Sequence, residues 1–575
     1  MKWNPLRGNA LALASLPALL IATACGGNDD DAPPVTPTLP RLSAATPAPL
    51  SGTCVDLAAK LATLANTTIT ATTDVPAGTL TVAGQSVREH CRVTGSMYPR
   101  VGTDGNNYAI GFEMRLPLDW NGRFFYQANG GIDGSVVTAT GGVNGGPGLT
   151  NALAQGFAVI SSDAGHVGSL GPNFGIDPQA RLDYGYQAVQ KLTPMAKSVI
   201  QTAYGKAPDR SYIGGCSNGG RHTMVAMARF ADQYDGFLAG SPGYNLPKAA
   251  IANIFGAQHY ALVATNPADL STAFTPAERT TVATAILAKC DALDGSADGL
   301  VQDVEACRSA FNFANDVPTC SGARDGTCLS TAQKIAIAPI FSGATTSTGT
   351  SFYASFPFDP GVAGSGIPFW EFIAPVALDT GGVGVIWKVP PEPVAGFNGP
   401  AFALNMNIDA ALGWVNATDA TYTESAMSFM TPPNPTNLSA LKGRGAKVMV
   451  YHGVADPIFS VDDTKAWYTG LTAANSGDAS NFARFYRVPG MGHCSGGPAT
   501  DQFDMLTPLV AWVEQGQAPE PVIATARGAG NAAGANADVP AGWSASRTRP
   551  LCPYPQVARY NGTGDIELAA SFSCK

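Results

Sequence analysis

Charge is scarce in this chain. Asp, Glu, Lys and Arg make up 13% of its 575 residues, about half of the roughly 25% usual in globular proteins. The 34 basic residues are outnumbered by 43 acidic ones, giving a net charge of −9, and no cluster of Lys or Arg relieves that excess. Nucleic acid and an anionic membrane surface are therefore excluded as partners. Histidine is scarcer still, at six residues, so every candidate base can be weighed singly. What is abundant is apolar: hydrophobic residues reach 45%, with 65 Gly and 43 Pro. That composition excludes wholesale disorder and describes a loop-rich, well-cored chain. At this length a single core stops growing, so the expectation is one large domain with an insertion, or several domains. The eleven cysteines, an odd number, are the feature to explain.

The N-terminus accounts for one of them. Lys2 and Arg7 precede an apolar run, Ala10 to Ala24, and then Cys25-Gly26-Gly27. The run is shorter than the ~20 residues that span a bilayer, so residues 1–24 read as a secretory signal. Small residues Ala22, Thr23 and Ala24 before Cys25 resemble a bacterial lipoprotein junction and make Cys25 the lipidation candidate. Ala22 stands where such junctions usually carry Leu, which leaves ordinary signal cleavage as the alternative. Residues 25–50, rich in Asp, Pro, Thr and Ala, read as a flexible tether. Ten cysteines then remain in an exported chain, and an even number in an oxidising compartment reads as disulfides. Sequence alone cannot pair them. Spacing suggests local bridges joining Cys54 to Cys91, Cys290 to Cys307, Cys320 to Cys328 and Cys552 to Cys574, with Cys216 and Cys494 left over.

Along the chain, Tyr108–Leu116, Arg123–Gln127, Gly156–Ser161 and Ser211–Ile213 read as strands, Arg181–Tyr204 as a helix kinked at Pro194, and Asn218–Phe230 as a second helix. Ala446–His452 and Phe485–Val488 resume the strand pattern. Alternating strands and helices predict an α/β domain with a mostly parallel sheet. Between them Cys, Pro, Gly, Trp and Phe crowd together and the alternation fades. The expected organisation is an α/β core in two pieces, 51–243 and 441–575, interrupted by a lid domain at 244–440.

Gly215-Cys216-Ser217-Asn218-Gly219 fits G-x-S-x-G between a strand and a helix, the turn that presents a nucleophilic serine at the carboxyl end of an α/β-hydrolase sheet. The motif alone is weak in a glycine-rich chain; the flanking strand and helix make Ser217 the nucleophile candidate. Such serines are followed in chain order by an acid and then a histidine on later loops. Asp456 follows the strand AKVMVYH, and His493 follows the strand FYRV. Among the other histidines, His90 and His259 read as structural, His222 packs on the nucleophile helix, and His166 precedes the serine, against the chain order. His452 stands four residues before the acid and is expected to shape the pocket. If Ser217 and His493 lie within hydrogen-bonding reach, their neighbours Cys216 and Cys494 come close enough for a disulfide. Free buried thiols are the alternative.

The Cys-Ser, Asp and His-Cys arrangement resembles the tannase and feruloyl esterase family, which includes bacterial mono(2-hydroxyethyl) terephthalate hydrolases, over nearly everything from Cys54 to Cys574. The resemblance implies an α/β-hydrolase fold with a large inserted lid, Ser217, Asp456 and His493 as the triad, and the five bridges named above. It also implies an oxyanion hole from the backbone N–H groups of Gly131 and Asn218. In the insertion, Asp291, Asp294 and Asp298 are spaced so that they can wrap one hard cation, though an acidic surface loop has the same pattern. The resemblance implies structural Ca²⁺ there, held by those carboxylates and by the carbonyls of Ser296 and Leu300. Phe459 matches an aromatic that the terephthalate-ester hydrolases use against the substrate ring. Those enzymes hold the free carboxylate with a lid arginine, whereas from Gly361 to Ala440 this chain has no Arg and only Lys388, which is no bidentate clamp.

The resulting expectation is an exported serine esterase for small aromatic esters, with feruloyl or gallate esters ahead of a carboxylate-bearing half-ester. It would be periplasmic, anchored to the outer membrane through Cys25 alone, or extracellular, and a monomer. The competing class is a non-catalytic binding protein on the same scaffold.

Overall fold

The computed structural model describes residues 39–143 and 148–575; the signal segment 1–24, Cys25 and the first part of the tether lie outside the described residues. Leu39–Lys575 packs as one unit. It is built on a nine-stranded sheet of β1 (Thr67–Val75), β2 (His90–Val101), β3 (Asn107–Pro117), β4 (Arg123–Gln127), β5 (Ala158–Ser162), β6 (Arg210–Cys216), β7 (Gly236–Gly240), β8 (Lys447–Gly453) and β9 (Ala483–Val488). Across the sheet the order is β9-β8-β7-β6-β4-β5-β3-β2-β1. From β9 to β5 neighbours run parallel, and β3, β2 and β1 add an antiparallel edge.

The central strands are short and apolar on both faces, as parallel strands covered on two sides must be. Phe124 and Tyr126, Ile213, Phe237, Val448 and Val450 face one cluster, which receives Leu192, Val199 and Ile200 of α1 (Ala188–Tyr204) and Met224 and Met227 of α2 (Asn218–Arg229). The alternate residues Phe125, Tyr212, Leu238, Met449 and Tyr451 face the other, against Leu506, Leu509 and Trp512 of the helix Leu506–Gln515. This two-period split places β4, β6, β7 and β8 side by side, with their carboxyl ends at one edge.

The helix expected over Arg181–Tyr204 departs from regularity at Asp183–Gln187, a π-helical stretch, and not at Pro194, which lies inside α1. The wide turn has a tertiary reason: the carbonyls of Tyr184 and Gly185 accept from the buried guanidinium of Arg221 on α2.

Between β7 and β8 the chain leaves the sheet, and no strand of the nine comes from residues 244–440. This insertion has two apolar cores. In one, Leu246, Ile251, Trp387 and Phe429 pack with Phe174, Tyr184 and Phe459 from outside the insertion. In the other, Val282, Ile286, Phe311 and Ile337 close around the Cys290–Cys307 bridge. The remaining disulfides join Cys54 to Cys91, Cys216 to Cys494, Cys320 to Cys328 and Cys552 to Cys574. A low-charge, glycine-rich chain thus ties its long loops covalently, in keeping with an exported protein.

Candidate active site

Strand β6 ends at Cys216 and α2 begins at Asn218, so Ser217 occupies the turn alone, with φ 66° and ψ −127°. That conformation is strained for any residue with a Cβ and survives only where its surroundings enforce it. Here the surroundings are very tight: a Cβ on either Gly215 or Gly219 would come within 2.3 Å of the Ala128 carbonyl oxygen. The motif's glycines are therefore demanded by the close passage of the chain after β4.

His493 and Asp456 arrive on the loops after β9 and β8. Ser217 Oγ donates to His493 Nε2 at 2.8 Å, and His493 Nδ1 donates to Asp456 Oδ2 at 2.8 Å. The backbone N–H groups of Ile458 and Phe459 donate to Asp456 Oδ1 at 3.1 Å each. Burial opposes ionisation of Asp456, but the charge of His493 and hydrogen bonds from His452 and His493 outweigh it and hold the carboxyl well below the usual carboxylate range. An ionised acid in that position fixes the proton on Nδ1 and leaves Nε2 to accept from serine. Cys216 and Cys494, the chain neighbours of Ser217 and His493, are bridged with a Cα separation of 6.1 Å, so a covalent tie joins the two loops that carry Ser217 and His493.

The two residues expected to form the oxyanion hole lie on elements beside the serine. Asn218 is the first residue of α2, where N–H groups have no intrahelical acceptor, and Gly131 lies in the loop after β4 with φ 65° and open space around its Cα. Gly130 approaches within 3.7 Å of Ser217 Cβ, measured from where its own Cβ would be, which places this loop beside Ser217.

The other expected residues divide. Phe459 is buried and meets the His493 imidazole edge-on, ring centroids 5.3 Å apart; it braces that ring. His452, expected to shape the pocket, is fully buried instead. Its Nδ1 accepts from Thr464 Oγ1 at 2.8 Å, and its Nε2 donates to the Phe459 carbonyl at 2.9 Å with Asp456 Oδ2 at 3.3 Å. The turn from 452 to 456 folds it behind the acid, so it supports Asp456 and not the substrate. His166 is buried as well, stacked on Phe174 at 3.7 Å.

Sequence reasoning did not single out Trp370 among the aromatics of the insertion; it meets the His493 imidazole edge-on at a centroid distance of 4.7 Å. It lies in the π-helical segment Pro368–Ile373. Beside His493 and Trp370 opens a cavity of about 250 Å³, walled also by Ser365, Ser495, Asp538 and glycine backbone. A void of ~150 Å³ accepts benzene, so this space suits one substituted ring or a small alcohol. Lys388, the lone basic residue of the Gly361–Ala440 stretch, is bonded to Glu392 and lies over the Trp414 ring at 4.3 Å.

In the Asp291–Leu300 loop, Asp291 accepts from the backbone of Asp298 and Gly299. Asp294 Oδ1 accepts from Ser296 N, while its Oδ2 is buried without a partner. Burial, joined by the charges of Asp298 and Asp291, pushes the Asp294 carboxyl up to about 7. An orphaned carboxylate oxygen among neighbouring carboxylates fits a hard cation. Asp298 is engaged elsewhere, Oδ2 with Arg549 at 2.5 Å and Oδ1 with Leu300 N at 3.1 Å. Among the described residues no three His, Cys, Asp or Glu side chains form a metal-holding group. A cation there has to take much of its shell from backbone carbonyls.

Known proteins share this architecture. Residues 91–575 match the family described as tannase and feruloyl esterase. The mono(2-hydroxyethyl) terephthalate hydrolase of Piscinibacter sakaiensis is 40% identical over 539 residues, covering 86% of each chain. Feruloyl esterase C of Talaromyces stipitatus is 28% identical, covering 82% of this chain and 84% of its own. The crystal structure of feruloyl esterase B from Aspergillus oryzae superposes with a TM-score of 0.71 at 24% identity, covering 91% of this chain and 99% of that one. A family match over most of the sequence, joined to a 40% identical relative, settles the descent: the chain belongs to the tannase and feruloyl esterase family.

Proposed function

We propose that this carboxylic-ester hydrolase works through an acyl-enzyme on Ser217 and takes esters of phenolic acids, such as feruloyl or gallate esters. The observation that carries the reading is the unbroken chain of hydrogen bonds from Ser217 Oγ through His493 to Asp456. His493 Nε2 takes the serine proton as Oγ adds to the ester carbonyl. The oxyanion that forms is met by the N–H groups of Gly131 and Asn218. Collapse expels the alcohol, which leaves with the proton from Nε2. Water then adds to the acyl-enzyme by the same route and releases the acid, restoring Ser217.

The 40% identical terephthalate-ester hydrolase supports a second reading, hydrolysis of a half-ester bearing a free carboxylate. Against it stands Lys388, already bonded to Glu392, in a stretch with no arginine. A panel of methyl ferulate, a gallate ester and mono(2-hydroxyethyl) terephthalate separates the two. The neutral phenolic esters are expected to give at least tenfold higher kcat/KM. A preference for the half-ester reverses the choice of substrate, and no turnover of any ester sinks the enzyme reading.

The loop Asp291–Leu300 is proposed to hold a structural Ca²⁺ through Asp291, Asp294 and Asp298 and the carbonyls of Ser296 and Leu300, and so to brace the insertion. Chelation is expected to lower Tm by several degrees, as losing a bound ligand must, while protein that stays folded keeps its kcat. An unchanged Tm after exhaustive EDTA dialysis removes the metal from this loop. The working unit is proposed to be an exported monomer, periplasmic, extracellular or held at the outer membrane by a lipid on Cys25.

A further inference from the structure

The two oxyanion donors belong to different elements, Gly131 to the loop after β4 and Asn218 to the first turn of α2. Both must lie about 2.7–3.1 Å from one oxygen, so the loop has to be registered against the helix within a few tenths of an ångström. Its own backbone bonds do not reach the helix: the Gly134 N–H donates to the Asp163 carbonyl at 3.0 Å, and the Gly134 carbonyl accepts from the Gly168 N–H at 2.7 Å. The Asp133 N–H closes a turn on the Gly130 carbonyl at 3.2 Å, and Tyr184 Oη reaches the Gly131 carbonyl only at 3.4 Å.

Asp133, two residues beyond Gly131, turns its buried carboxylate toward α2. Asn218 Nδ2 donates to Asp133 Oδ2 at 2.9 Å, and His222 Nε2 donates to the same oxygen at 2.9 Å. These are the only hydrogen bonds between residues 129–134 and α2 among the described residues. The helix side is itself anchored: Arg221 Nε donates to Asn218 Oδ1 at 2.6 Å, and its Nη atoms donate to the carbonyls of Gly185 and Tyr184 and to His222 Nδ1. Burial, with Arg221 beside it, holds His222 well below the usual imidazole range; Arg221 Nη2 lies 3.1 Å from both ring nitrogens, and with Nδ1 assigned as its acceptor the proton of the neutral ring is on Nε2, directed at Asp133. Among the described residues no cation pairs with Asp133 at hydrogen-bonding distance, and burial pushes its carboxyl up to about 7. A carboxyl held there against that cost serves its two acceptor bonds.

We propose that Asp133 is a positioning residue that sets the oxyanion hole, clamping the Gly131 loop to the start of the nucleophile helix through Asn218 and His222. This rests on the serine-hydrolase reading and adds to it a residue that touches neither substrate nor the reacting atoms. The role is to fix the distance between two N–H groups, so it acts on the tetrahedral state and leaves ground-state binding alone.

The test measures kcat and KM per competent site, with Ser217 titrated by a fluorophosphonate, together with the affinities of an aryl boronate that forms a tetrahedral adduct and of ferulate as product acid. Asp133→Ala is expected to lower kcat about 30-fold or more, a cost in keeping with a displacement well under 1 Å. KM and ferulate affinity stay within about threefold, and boronate affinity falls in parallel with kcat. Asp133→Asn, whose amide oxygen still accepts from both partners, restores most of the loss. Asn218→Ala keeps the catalytic N–H and removes one of the clamp's two bonds, leaving that of His222; it is expected to lower kcat in the same way by a smaller factor, with the double variant no worse than Asp133→Ala. It decides the matter if Asp133→Ala does not fold. Unchanged boronate affinity, or a kcat loss fully explained by fewer titrated sites, overturns the proposal. Wild-type protein that neither hydrolyses an ester nor binds the boronate overturns the serine-hydrolase reading and the hole with it.

Discussion

Ser217→Ala is expected to fold, keep its Tm within a few degrees and lose ester turnover by a factor on the order of 10⁵–10⁶. The size follows from what the hydroxyl does. It lies 2.8 Å from His493 Nε2, and without it the imidazole has no serine proton to take and no nucleophile to activate but water. The residual rate is then what the oxyanion donors and binding supply, roughly 10³–10⁴ above water. Stability should change little, because alanine keeps the Cβ and the strained turn is enforced by backbone contacts around Gly215 and Gly219. Mass spectrometry supplies the second readout: a fluorophosphonate adds once to wild type and not to the variant. This pair of measurements separates an esterase from a binding protein built on the same scaffold. Equal turnover in wild type and variant removes Ser217 from the mechanism.

That Ser217, His493 and Asp456 meet in one hydrogen-bonded chain was legible in the sequence because this fold strings such residues in a fixed order on loops that end strands. Each strand before them is a short apolar run, and chain order could be read without coordinates. The Cys216–Cys494 bridge was legible for a related reason, since each cysteine is bonded in sequence to a residue whose position the chemistry dictates. Strand β7 was missed: GFLAG is five residues, buried on both faces, and so short an apolar run has no period to betray it. The edge strands β1 and β2 escaped because Thr, Arg and Gly dilute their alternation.

Trp370 and Asp133 were hidden for deeper reasons. Pro368–Ile373 is π-helical, and a turn closed i→i+5 shifts the facing of every later side chain by about one residue, so no 3.6-residue pattern reports which aromatic meets the site. Asp133 acts through Asn218 and His222, 85 and 89 residues further along the chain. Nothing in local sequence registers a contact that depends on how β4 and β6 pair. His452 shows the converse error. Its proximity in sequence to Asp456 suggested a pocket residue, but the residues between them fold it into the interior.

Asp456→Asn is expected to lower kcat by about 10⁴ while leaving Ser217 and His493 in place. The argument turns on two backbone donors. Asp456 Oδ1 accepts from the N–H groups of Ile458 and Phe459, and an asparagine must turn its carbonyl oxygen to them or leave two buried donors unpaired. Its amide nitrogen then faces His493 Nδ1, where only an acceptor is tolerated, and the imidazole relieves the clash by moving its proton to Nε2. In that tautomer Nε2 points a hydrogen at Ser217 Oγ and cannot take the serine proton. Stability carries a matching sign. Because the folded-state pKa of Asp456 is lowered, its contribution is present above the ordinary aspartate range and is lost as pH falls through the lower folded value. The variant should therefore melt below wild type at neutral pH, with the gap narrowing in strong acid. A kcat within tenfold of wild type would show that His493 holds its tautomer by other means, and a gap in Tm that widens toward acid would contradict the ionised state assigned to Asp456.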